Sequence, residues 1–197
     1  MTDPLFEEDG DDAATLLTAD EKNGLIPSYI TLRRELNEAE QFGITAAEAW
    51  AFSRKRDVLD EAFLRRLHKQ MFKEVWRWAG EFRSTPRNIG VDPWKIGPML
   101  LDLVADTRYW VEQHTFPPDE IAARFHHRLV LIHPFPNGNG RHSRLATDLL
   151  LVELSQPLFT WGRVSLVNAS ETRSQYIAAL RAADAHDIKP LLAFVRS

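Results

Sequence analysis

Between His133 and Arg144 the chain reads "HPFPNGNGRHSR", residue types suited to moving protons and holding phosphates. Pro134 disfavours helical backbone at the residue before it, so an arriving helix should end at His133 and leave the imidazole at its rim. An imidazole titrates near neutral pH and is a candidate general base. The following "NGNG" allows tight turns with unhindered amides, and a new helix is expected from about Gly140 or Arg141. First-turn N–H groups have no carbonyl behind them, and the helix dipole adds positive charge at the same place. Gly138, Asn139, Gly140 and Arg141 therefore read as an anion cradle, most plausibly for phosphates. Arg141 and Arg144, three residues apart, share one side of that helix, and each guanidinium can grip phosphate oxygens with a planar fork. A base candidate thus stands beside a phosphate cradle.

The elements that must hold this loop are helical. Leu59, Phe63, Leu67, Met71 and Val75 fall four apart and mark the buried face of a helix that Gly80 would end. Thr45 and Glu48 have capping-box spacing at the start of another, and Pro98 suits the first turn of a third. In "PPDEIAARFHHRLVLI", Ile121, Phe125, Leu129 and Ile132 point inward on the helix that leads to His133. Further helices are expected over about 141–154, in "SETRSQYIAALRAAD" and in "KPLLAFV". Only "EFRSTPRNIGVDPWKI" breaks the pattern, with turn formers and short β-prone pieces that suggest a hairpin or flap. The expected fold is all-α with one small β-hairpin flap. Its parts are a flexible acidic tail over 1–17, an N-terminal helical region over 18–56 and the main domain over 57–197.

Composition narrows the function classes. At 197 residues with 44% hydrophobic and 26% charged residues, the chain can fill one core. A net charge of −4 gives no electrostatic footprint for nucleic acid, and no apolar run is long enough to span a membrane, so neither is an expected partner. The first residues are acidic rather than basic and apolar, and cysteine is absent, so a cytoplasmic protein is the simplest reading. His126 and His127 are adjacent, point to different sides of their helix and have no ligand spacing that would make a metal cluster. The "NAS" at Asn168 fits a glycosylation pattern but carries no meaning without a secretion signal.

The loop also resembles the signature of the Fic family: a histidine, a phenylalanine two residues on, an acidic residue, "GNGR" and a second arginine three residues later. It departs at one position, where Asn137 replaces the acidic residue. "FHHRLVLIHPF", "GEFRSTPRNIG" and "YIAALRAAD" extend the resemblance over about 62–194, and "GLIPSYITLRRELNEAEQ" resembles the Fic proteins called mobile mystery protein B. The resemblance implies a mostly helical Fic fold and transfer of AMP from ATP to a Tyr, Thr or Ser hydroxyl of a target protein. His133 would be the base, Arg141 would act with the cradle and Arg144 on the phosphates, and Phe135 would anchor the loop. Asn88, Ile89, Gly90 and Val91 would dock the target backbone as an added strand. Mg²⁺ is the implied metal, with Asn137 a weak ligand because it lacks a carboxylate's charge.

"TLRRELN" resembles the family's inhibitory motif, with Thr31, Glu35 and Asn37 at its positions and Leu36 in place of a glycine. On that reading Glu35 pairs with Arg144 and takes the space of the γ-phosphate. Two other readings stay open because of Asn137: a nucleotide-binding interaction module with little catalysis, and phosphate transfer in the manner of Doc relatives. Homo-oligomerisation also stays open.

Overall fold

A computed structural model describes residues 17–163 and 169–197. The expected acidic tail, apart from its last residue, and Asn168 lie outside them. The helices are α1 (Ala19–Lys22), α2 (Arg33–Phe52), α3 (Glu61–Phe72), α4 (Ile96–Glu112), α5 (Pro118–Ile132), α6 (Asn139–Glu153), α7 (Ala169–Asp184) and α8 (Lys189–Val195). A 3₁₀ turn at Pro93–Lys95 leads into α4.

The α3 stripe lies in the core, with Leu67 and Met71 fully buried, but the helix ends at Phe72 rather than at Gly80, and Leu59 and Val75 are buried outside it; the Asp60 carboxylate accepts from the amides of Ala62 and Phe63. Pro118 opens α5, and Pro98 sits in the first turn of α4. The main core gathers residues of α2, α3, α4, α5 and α6. A second cluster packs Phe159 and Trp161 with α7 and α8 against Ala122 and Leu151.

Two further expectations need correction. No helix begins at Thr45: α2 runs through it unbroken, and the Thr45 hydroxyl donates to the Gln41 carbonyl inside the helix. Gly43 lets α2 come this close to α3, since a β-carbon there would lie 2.5 Å from the Met71 carbonyl oxygen. The flap is no hairpin. An isolated β-bridge joins Leu25 to Trp76, and residues 81–92 carry no strand. Their backbone is held by other means, described below.

Candidate active site

α5 ends at His133, whose backbone takes the left-handed conformation (φ +53°) that turns the chain out of the helix ahead of Pro134. The side chain is 6% exposed. The His133 ring hydrogen-bonds the backbone of Val130, a contact that by itself favours the protonated imidazole. Burial, then the positive charges of Arg83 and Arg87, push the imidazole down to about 4, so it is neutral at physiological pH.

The loop that follows closes on itself. The Asn139 side chain accepts from the Phe135 amide (2.9 Å) and donates to the Phe135 carbonyl (2.8 Å). Phe135 is fully buried and its ring stacks on His68 at 3.7 Å. Asn139, expected to hold phosphate, therefore has its side chain engaged as a latch and offers only its backbone to a ligand. His68 braces the same loop from α3. Its Nδ1 accepts from the Gly80 amide (2.9 Å), so the proton sits on Nε2, which donates to the Asn137 carbonyl (3.0 Å). Sequence reasoning missed His68, although a histidine three residues before Met71, on the apolar face, was the available signal.

Gly138 caps α6 with φ +77°, and a β-carbon there would strike the Phe72 ring at 2.5 Å. Gly140 differs: a β-carbon would meet nothing within 4 Å. The first turn of α6 therefore presents an open face beside amides that the helix leaves unpaired, as an anion cradle requires.

The arginines take partners other than those expected. Arg141 donates to the Glu40 carboxylate of α2 (2.8 Å) and lies over the Phe72 ring. Glu40 is 4% exposed and also accepts from the Trp76 indole (2.6 Å). Arg144 lies over Tyr176 of α7, which His126 also bonds (2.8 Å). Glu35 is not at Arg144. It caps the start of α2, accepting from the amides of Thr31 (2.9 Å) and Leu32 (3.0 Å). Those bonds hold its carboxyl below the usual range. It lines a groove of about 480 Å³ with Tyr29, Glu38, Phe42 and Glu74, away from the loop residues. Leu36 packs in the core, and Thr31 and Asn37 are exposed, so "TLRRELN" starts a helix and Glu40 is the carboxylate that reaches the cradle. Glu40 was missed because it falls outside the motif that drew attention to the helix.

The flap lies against the histidine: a β-carbon on Gly90 (φ +94°) would come within 2.5 Å of the His133 β-carbon. The Val91 amide donates to the Ile132 carbonyl (3.4 Å), while in the same loop Asn88 is exposed and Ile89 half-buried. The Asn137 side-chain oxygen accepts from the Gly138 amide (2.5 Å), which uses one of its two lone pairs and leaves it a neutral, weak ligand for Mg²⁺. No group of three or more metal-ligating side chains occurs among the described residues.

Residues 58–151 match the Fic/DOC family, so the chain carries a Fic domain. The protein adenylyltransferase fic-1 of Caenorhabditis elegans is 33% identical over 124 residues, 59% of this chain and 22% of that protein. The chain thus spans about a fifth of the curated relatives it matches. Among solved structures, Fic-1 from C. elegans superposes with a TM-score of 0.66 at 27% identity, covering 89% of this chain and 51% of that one. The N-terminal Fic domain of a cell filamentation protein from Bartonella quintana superposes with a TM-score of 0.70 at 18% identity, covering 89% and 91%. The second likeness is one of fold.

Proposed function

We propose that this protein is an adenylyltransferase that moves AMP from ATP onto a Tyr, Thr or Ser hydroxyl of a target protein. The observation that carries the reading is the neutral His133, covered by the Gly90 loop and followed by the open first turn of α6 with Arg141. The names of relatives at 32–35% identity support the reaction class.

The imidazole of His133 takes the proton of the incoming hydroxyl as that hydroxyl's oxygen bonds to the α-phosphorus. The bond from that phosphorus to the α–β bridging oxygen breaks, and pyrophosphate leaves. The Gly138 amide is held by Asn137, so the amides of Asn139 to Arg141 and the guanidinium groups of Arg141 and Arg144 hold the phosphates and stabilise charge moving onto the leaving group. The nucleotide's own negative charge opposes the field of Arg83 and Arg87 and raises the basicity of His133 once ATP is bound. Residues 88–91 dock the target backbone beside the imidazole. Any divalent ion arrives with the nucleotide, and no step is assigned to it.

α2 restrains the site. Glu40 competes with phosphate for Arg141, so the resting protein is autoinhibited through that contact. The expected Glu35–Arg144 pair has no part in this account.

Asn137 favours a second reading, phosphate transfer or nucleotide binding without turnover. Incubation with ATP labelled separately at the α- and γ-phosphorus separates the three. Label from the α position on protein is the expected result, and His133→Ala should lower it by ~10²–10⁴-fold while ATP binding stays within a few-fold. Label from the γ position, or bound ATP with neither label transferred, would replace adenylyl transfer with the corresponding alternative.

A further inference from the structure

Residues 81–92 carry no ladder, yet one side chain bonds both their backbone and that of the segment around His133. Arg83 is 2% exposed. Its Nε donates to the His133 carbonyl (2.7 Å), Nη1 to the Thr85 carbonyl (3.0 Å), and Nη2 to the Val91 carbonyl and, at 3.4 Å, to that of Ile132. Its own amide donates to the Pro134 carbonyl (2.9 Å). Ile132 and His133 close α5, where the last carbonyls of a helix lack N–H partners and the dipole is negative. Thr85 and Val91 belong to the loop. One buried cation therefore caps the helix that delivers the imidazole and ties in the loop that covers it.

Only a planar fork with donors on three nitrogens reaches carbonyls on both sides at once, and an ammonium on a flexible stem cannot reproduce that geometry. Gly90 is packed into the junction, for a β-carbon there would lie 2.8 Å from Arg83 Nη2 and 2.5 Å from the His133 β-carbon. Arg87 sits in the same loop, donating to Thr85 Oγ1 (2.8 Å) and ion-paired with Glu21 of α1. Its contacts run outward to α1, whereas those of Arg83 run inward to the histidine.

We propose that Arg83 is a positioning residue, which fixes the height of the 84–91 loop above His133 and so sets how a target hydroxyl meets the imidazole. The role in transfer rests on the adenylyltransferase reading, whereas the clamp itself can be measured without turnover.

The test compares the parent with Arg83→Lys and Arg83→Met by amide hydrogen exchange and by NMR titration of the His133 ring, in the absence of nucleotide. The charges that face His133 are Arg83 and Arg87, and Arg87 and its partner Glu21 are left intact in both variants. The Val91 amide should exchange about tenfold faster or more in both variants, because each loses fork bonds. Amides of Phe125 and Leu129 in α5 should keep their protection. His133 should titrate near its parental value in Arg83→Lys, which keeps the charge, and higher in Arg83→Met, which removes it. Unchanged Val91 exchange in a folded variant overturns the clamp, and so does equal loosening of Val91 and α5, which would make Arg83 a general staple. If Arg83→Met does not fold, exchange in Arg83→Lys decides. Absence of transfer in the parent would count against the proposed reaction and leave this measurement standing.

Discussion

Gly138 and Gly140 stand two residues apart in one motif and answer to different constraints. Gly138 has a left-handed backbone and the Phe72 ring against it, so Gly138→Ala adds backbone strain of about 1–2 kcal/mol and displaces a buried aromatic. Each kcal/mol lost lowers Tm by roughly 2–4 °C in a protein of this size, which thermal unfolding will read. Gly140 faces open space inside a helix, so Gly140→Ala should leave Tm unchanged or slightly raised. It should nevertheless weaken ATP binding, because the new methyl group enters the mouth of the cradle. Parental ATP affinity in Gly140→Ala would mean that the open face is not where the nucleotide lies. Both glycines stand out in "NGNG", but their separate constraints were not legible, since Phe72 lies 66 positions from Gly138 in sequence. Asn139 is a similar case: its amide could serve a phosphate or the backbone of Phe135, and only the closed loop decides.

α2 is the element whose meaning changed most between sequence and structure. The motif around Glu35 marks the first turn of the helix, where a carboxylate caps backbone amides, and Glu40 lies about a turn and a half further on, facing Trp76 and Arg141. Substituting Glu40→Gln keeps an acceptor for the indole and removes the charge that holds Arg141. Transfer of α-phosphate label should then rise several-fold above the parent. Glu35→Gly should leave transfer near the parental level. The reverse pattern would return the restraint to Glu35. Periodicity located the buried faces of α3 and α5 because apolar spacing is a local property. The flap failed as a hairpin because its turn formers and β-prone pieces carry no information about Arg83, which supplies bonds that a ladder would otherwise make.

Across the whole molecule, four buried histidines make the fold sensitive to acid. Burial lowers His126 to about 3, His133 and His142 to about 4, and His68 well below the ordinary imidazole value. In the unfolded chain they titrate near ~6.5, so below that pH the unfolded state binds more protons than the folded one. Their contribution to stability is complete above pH ~6.5 and is lost as pH falls toward 4, each histidine adding up to about 1.4 kcal/mol per pH unit to the slope. Urea unfolding midpoints should therefore drop steeply between pH 6.5 and 4.5, and His126→Phe or His142→Phe variants that fold should show a shallower slope. A midpoint flat across that interval would contradict the buried, neutral state of these rings. Composition and length pointed to one core, and the second cluster around Trp161 could not be read from them, because it depends on how α7 and α8 return to α5 and α6. The ring that Asn139 forms with Phe135 also bears on affinity. Fixing the backbone of one residue removes conformational entropy worth about 1–2 kcal/mol, and here the chain's own Asn139 side chain holds the loop in shape. Ordering of this loop is thus part of folding, and a nucleotide bound there as proposed would carry no deduction for freezing it.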